Sequence, residues 1–165
     1  MSGYRVGGGF DSHQLVTGRP LLLGGVPIAN DRGLLGHSDG DCVIHAVCDA
    51  LLGAASAGDM GVHFPSSDER WKDMSSIVFL EEVGRIVRMR GYAIENVDVT
   101  AIAQEPKLAP YLSSMRDRLS QTMAIDAERV SVKAKSADGL GAVGRGEGIA
   151  ALATVLLRQK KRERP

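Results

Sequence analysis

The run from Cys42 to Ala57, CVIHAVCDALLGAASA, is apolar on almost every side, and it limits the fold more than any other feature of the chain. A helix of this kind has no face to offer water, so other elements must wrap it. Asp39-Gly-Asp41 supplies a turn and an N-cap before it, and Gly58 marks its end. Two polar side chains stand inside the run: His45, and Asp49 one turn later on the same face.

What surrounds that helix reads as a mixture of strands and helices. Tyr4 to Phe10 is a glycine-rich strand, and Pro20 to Ile28 is a second extended stretch broken at Gly24-Gly25. Glycines at this density point to backbone in close approach to a neighbour. Gly58 to Lys72 has no clear period, holds Pro65 and reads as a long mobile loop. Asp73 can cap a helix to about Arg90, with Ile77, Leu80, Val83 and Val87 at helical spacing and Gly91 as terminator. Ile94 to Gln104 alternates as a strand does. Leu108, Tyr111, Leu112, Met115, Leu119 and Met123 form a stripe on a further helix, with Pro110 tolerated in its first turn. Val130 to Ser136 is again a strand, and Gly139 to Gly148 is a loop with five glycines in ten residues. Ile149 to Leu157 is an apolar run that periodicity cannot assign to helix or strand. This order predicts α and β elements in two layers, without internal repeats.

Composition bounds the function. With 165 residues, 44% hydrophobic and 24% charged, the chain fits one domain with a real core, here residues 1–157. The segment 158–165 reads as a basic, solvated and disordered tail with five basic residues and one acidic. Removing these from the 20 basic and 20 acidic residues leaves 15 against 19, a body of about minus four that offers no general footprint for nucleic acid. No stretch has the length of a membrane span, and the start lacks a secretory pattern, so a cytoplasmic protein is expected, or an organelle stroma if a transit peptide has been removed. Cys42 and Cys48, six apart on one helix, point in different directions and read as reduced thiols.

The chemistry starts at Phe10-Asp11-Ser12-His13, where a carboxylate and an imidazole two residues apart on a strand share a face. Taken alone, such a pair is more often a hydrogen-bonded surface pair than a metal site. His45, inside an apolar helix, supplies a third ligand type, and a His, His, Asp set leaves a tetrahedral zinc one open position, the catalytic pattern. Asp49 is placed to accept the remaining ring proton of His45. His37 and Ser38 precede a helix start whose free N–H groups favour anions. Ala103-Gln104-Glu105-Pro106-Lys107 follows a strand end where backbone groups are free for a ligand. The loop from Gly139 to Gly148 has the look of a phosphate cradle with one guanidinium, Arg145.

The strings GGGFDSH, LLGHSDGDCVIHAVCDALLGAASAGDMGVHFP, NVDVTAIAQEPKL and VSVKAKSADGLGAVGRGEGIA resemble, collinearly from Gly7 to about Leu157, the 2-C-methyl-D-erythritol 2,4-cyclodiphosphate synthase family of the non-mevalonate isoprenoid pathway. The resemblance implies an α+β fold, a mixed four-stranded sheet backed by helices on one face, and a homotrimer with sites between subunits. It makes the last apolar run a strand. It places one Zn2+ per subunit on Asp11, His13 and His45, and Mg2+ or Mn2+, held with the substrate, near Asp138. His37 and Ser136 would hold transition-state oxygens. His37 and Ser38 would meet phosphates, Asp59 and Gly61 would help hold the substrate's ribose, Phe64 would be a further substrate contact, and Ala103 to Leu108, including Lys107, would wall its cytosine. Lys135, Ala142 and Arg145 would complete the substrate contacts, with Arg145 and Glu147 also lining a central trimer cavity. The implied reaction is a CMP-releasing lyase reaction on a cytidine diphosphate substrate, with no nucleic-acid or membrane partner.

The chain departs from the family pattern at Gly8, Ser12 and Ser66, where a His, a hydrophobic and an acidic residue are usual. It also has Lys135-Ser136-Ala137-Asp138 in place of Thr-Thr-x-Glu, and Ala142 in place of a Phe. These departures leave a second reading, a non-catalytic trimeric module that binds zinc and a nucleotide or isoprenoid diphosphate.

Overall fold

The computed structural model describes residues 3–160. Twelve regular elements follow in chain order: β1 (Tyr4–Thr17), β2 (Leu21–Leu23), β3 (Val26–Ile28), β4 (Arg32–Leu34), α1 (Cys42–Ala54), α2 (Met60–His63), α3 (Ser76–Met89), β5 (Tyr92–Ile102), α4 (Leu112–Met123), β6 (Val130–Lys135), α5 (Gly141–Gly144) and β7 (Gly148–Gln159). The main sheet has five strands in the order β4-β1-β7-β5-β6, not four. The fifth is the three-residue β4, which pairs antiparallel with the end of β1 from Leu15↔Leu34 to Thr17↔Arg32. All pairings are antiparallel except β5 with β6, so the sheet is mixed, as expected.

The glycines of β1 explain how the buried helix sits. Gly7 and Gly9 are buried, and a Cβ on either would lie 2.0 Å from a carbonyl oxygen of α1, Ala50 O for Gly7 and Ala46 O for Gly9. Two strand residues advance about 6.6 Å and four helix residues about 6 Å, so Gly7/Gly9 and Ala50/Ala46 keep step along the contact. The next step along β1 brings Asp11 towards the first turn of α1, where His45 lies. The other face of β1 is open, with Val6 69% and Phe10 60% exposed, joined on β7 by Leu152 at 52%.

Asp41 caps α1, its carboxylate accepting from Ile44 N at 3.0 Å. The same carboxylate accepts from Gly24 N at 2.9 Å and Gly25 N at 2.7 Å, the turn of the β2–β3 hairpin. Both glycines have positive φ, as a type I′ turn demands. Burial pushes this carboxyl's pKa up, while the backbone N–H groups pull it down. Cys42 and Cys48 are free and buried, and burial raises both thiols well above their ordinary value.

Several boundaries differ from expectation. Asp73 does not cap α3: it sits at φ 54°, Ser75 holds the N-cap position, and the Ser76 N–H is accepted by Asp39, 2.8 Å away. The stretch from Gly58 to Lys72 is not a bare loop. It contains α2, capped by Asp59 through Val62 N, and a 3-10 turn at Glu69–Trp71. Phe64 and Trp71 from this stretch stack against each other and on Phe79 of α3. The last apolar run is the strand β7, lying between β1 and β5. It extends past Leu157, so Arg158 and Gln159 belong to the sheet and not to the tail, and Arg158 Nε meets Glu95 Oε1 at 2.6 Å. The rest of the expected tail, from residue 161, lies outside the described residues. Among the described residues no helix is long and apolar enough to cross a membrane.

Candidate metal centre and the cavity beside it

β1 and α1 bring Asp11, His13 and His45 together, with one ligand atom from each lying within 4.8 Å of the others. Asp11 Oδ2 is 2.8 Å from His13 Nε2 and 3.0 Å from His45 Nδ1, and the two ring nitrogens are 3.3 Å apart. Two imidazoles and a carboxylate facing one point are the mixed donor set that suits a zinc-type ion. His13 donates its Nδ1 proton to Leu35 O at 2.7 Å, which leaves the Nε2 lone pair pointing inward. Burial alone would raise the Asp11 carboxyl, but its hydrogen bonds with His13 and His45 outweigh that and hold it far below the usual carboxylate range. The hydrogen bond to Asp11 raises His13, against burial.

Asp49 does not serve His45. Its Oδ1 accepts from Met60 N at 2.8 Å, tying α2 to α1, and burial raises its pKa. The i, i+4 spacing was right for sharing a face but wrong for contact, because helix side chains lean towards the N-terminus and His45 reaches away from the turn that follows it. The ring's Nε2 instead lies 2.9 Å from Ser76 Oγ and 3.2 Å from Ser38 Oγ. Ser76 is fully buried and also bonds Asp39 through its hydroxyl. The 3.6-residue pattern of α3 marks Ser76 only as its first residue, so nothing in the sequence pointed to this partner.

A cavity of about 260 Å³ opens beside His13 and His45. His37 and Ser38 line it on one side, and Phe64, Trp71 and Phe79 make an apolar wall on another. The loop carrying His37 is tied on both sides. Arg19 donates to Gly36 O at 3.2 Å and Ser38 O at 2.7 Å, and His37 O accepts from Asp73 N at 2.8 Å. Arg19 was not singled out by sequence, because a lone arginine in a turn gives no sign of what it reaches. Asp59 and Gly61 sit at the start of α2, and neither lines this cavity.

The other expected contacts gather elsewhere in the chain. Ala103 N donates to Lys135 O at 2.9 Å and Gly139 N to Gln104 Oε1 at 3.2 Å, so the segment Ala103 to Leu108 and the loop after β6 form one unit. Within it Ser136 Oγ donates to Asp138 Oδ1 at 2.9 Å, and Asp138 holds φ 50°. None of these residues lines the cavity at the metal ligands. Ala142 and Arg145 line a second, open cavity of about 580 Å³ together with Glu147, which pairs with Arg145 at 2.6 Å, and His13 lines this cavity as well as the smaller one.

The mixed sheet and the three converging side chains define an α+β domain with a candidate metal centre at the start of a buried helix. The chain belongs to the YgbB family, whose sequence model matches residues 4–158. A relative from Syntrophomonas wolfei, 2-C-methyl-D-erythritol 2,4-cyclodiphosphate synthase, is 53% identical over 155 residues, covering 94% of this chain and 99% of the relative. The structure of the bifunctional IspDF from Campylobacter jejuni superposes with a TM-score of 0.93 at 39% identity, over 96% of this chain and 43% of that longer one. The Plasmodium falciparum IspF CDP complex has a TM-score of 0.85 at 34% identity, over 96% of this chain and 98% of its own.

Proposed function

We propose that this chain acts in the non-mevalonate pathway as a 2-C-methyl-D-erythritol 2,4-cyclodiphosphate synthase. It would convert 4-diphosphocytidyl-2-C-methyl-D-erythritol 2-phosphate to the cyclic diphosphate with release of CMP, a phosphorus–oxygen lyase reaction. The observation that carries this reading is the Asp11, His13, His45 cluster beside a cavity edged by His37 and Ser38, in a chain that a relative bearing that name matches over 94% of its length.

The substrate brings its own ionised nucleophile. Its 2-phosphate oxygen forms a bond to the β phosphorus, the bond from that phosphorus to the bridging oxygen breaks, and CMP leaves with the electron pair. No protein base is needed, so the residues position groups and neutralise charge. His37 and Ser38 hold phosphate oxygens in the cavity, and Ser136 holds them from the other unit. Ala103 to Leu108 receive cytosine, Asp59 and Gly61 the ribose, Phe64 the methylerythritol side, and Lys135 faces the α phosphate. Zinc on Asp11, His13 and His45, with magnesium or manganese at Asp138, supplies Lewis-acid charge to the diphosphate when bound.

A homotrimer is part of this proposal. The nucleotide-facing unit and the metal-facing unit lie apart within one protomer, and the open sheet face exposes Val6, Phe10 and Leu152, so adjacent copies both complete a site and bury that face. The protein works in the cytoplasm in this reading. Incubation of purified protein with the substrate, zinc and magnesium should release CMP. Zinc and nucleotide binding without CMP would favour the non-catalytic module.

A further inference from the structure

The two histidines of the metal centre must present opposite nitrogens, Nε2 of His13 and Nδ1 of His45, and each needs its proton held on the other. For His13 a backbone carbonyl does this. For His45 the partners are hydroxyls, which can donate or accept, so they fix nothing by themselves. The decision falls to Asp39. Its Oδ1 bonds the Ser76 hydroxyl, and a carboxylate only accepts, so Ser76's single proton is directed to Asp39. Ser76 Oγ is left as an acceptor 2.9 Å from His45 Nε2, nearer than Ser38 Oγ at 3.2 Å, and this shorter contact favours the ring proton on Nε2. Asp39 is itself held in place, with Oδ2 accepting from Ser76 N at 2.8 Å and Oδ1 from Asp41 N at 3.2 Å.

We propose that Asp39 and Ser76 are positioning residues of the metal centre, acting through His45 to keep its proton on Nε2 and its Nδ1 lone pair aimed at the ion. Asp11 pulls the other way, since its carboxylate can hold a proton on Nδ1 at 3.0 Å. The inference rests on the metal reading above, but its proton assignment is measurable without metal.

Two variants of the full chain test it. Ser76→Ala removes the acceptor and should weaken zinc binding about 10- to 100-fold in competition with a chromophoric chelator, with Ser38 Oγ as the fallback acceptor at 3.2 Å. Asp39→Asn is nearly isosteric. Its amide oxygen keeps the 2.8 Å bond from Ser76 N, and its NH2 then donates to Ser76 Oγ, at the loss of the 3.2 Å bond from Asp41 N. The freed hydroxyl proton turns to His45 Nε2, and the ring proton moves to the ligand atom Nδ1. Nitrogen-15 spectra of the metal-free proteins read this directly. Wild-type His45 should show a protonated Nε2, Asp39→Asn an unprotonated one, with zinc affinity reduced at least as far as in Ser76→Ala. An unprotonated Nε2 in the wild type, or zinc affinity within twofold of wild type in both variants, would overturn the proposal. If Ser76→Ala does not fold, Asp39→Asn carries the test alone. Wild-type protein that takes up no zinc would remove the metal reading, and the Nε2 proton would still decide the relay.

Discussion

Replacing Gly9 with alanine puts a methyl group where α1 already is. The new Cβ falls 2.0 Å from Ala46 O and 2.7 Å from Ala50 N, whereas ordinary contact begins at 3.4 Å, so the helix must retreat by about 1.4 Å at Ala46. Overpacking of this sort costs roughly 1–3 kcal/mol. For a domain of this length that lowers Tm by roughly 2–12 °C. The site should suffer more than the fold, because His45 is the residue before Ala46, and a metal tolerates ligand displacements of about 0.2 Å. Gly8→Ala is the control: its Cβ meets only Ala153 O at 4.0 Å. The assay is thermal unfolding of metal-free protein together with zinc affinity by chelator competition. Gly9→Ala should lose both stability and zinc, and Gly8→Ala should keep its zinc. If Gly9→Ala matched Gly8→Ala in both measurements, the argument that the glycines set the distance between strand and helix would be wrong.

His45→Ala should lose zinc, and stoichiometric zinc found in it by elemental analysis would contradict the ligand assignment. Arg19→Ala should lower kcat/KM about tenfold, about 1.4 kcal/mol and so roughly the low-end worth of one of its two charged-group hydrogen bonds to Gly36 O and Ser38 O, while unfolding near the wild-type temperature. Arg19→Lys should recover part of that loss, and unchanged kinetics in the alanine variant would show the loop holds itself. Light scattering at micromolar concentration should give a trimer mass, and a monomer mass would refute the assembly. Asp138→Glu extends the carboxylate beyond its bond to Ser136 by about one carbon–carbon length and should raise the rate at limiting magnesium. No increase would mean the loop from Ser136 to Gly144 already suits the shorter side chain.

What could be read from sequence was whatever local periodicity or close spacing records. The all-round apolar run marked α1 as buried, and the two-residue step of a strand put Asp11 and His13 on one face. The density of glycines before them pointed to a close neighbour, which proved to be Ala46 and Ala50. What could not be read were partners far along the chain. β4 is three residues long and exists only because the end of β1 offers it an edge. Asp39 and Ser76 are 37 residues apart, and Asp73, nearer in sequence and equally able to cap, lost α3 to the more distant carboxylate.

That competition bears on how the centre holds its shape. In the Asp39-Gly-Asp41 turn the two carboxylates serve different helices. Asp41 fixes the start of α1 against the β2–β3 hairpin, and Asp39 fixes the start of α3. His45 leaves α1 and is received by Ser76 at the start of α3, so its direction depends on both carboxylates at once. Gly40, at φ 77°, allows the turn, and a Cβ there would lie 2.7 Å from Leu34 O. His37 and Ser38 stand immediately before the same turn, and Asp39 N is held by Met74 O at 3.1 Å. The candidate metal ligand His45 and the pair proposed to face phosphate, His37 and Ser38, are therefore carried on one short, doubly anchored segment. A displacement that spoils one should spoil the other, which suits a reaction in which the protein's contribution is the relative placement of charges.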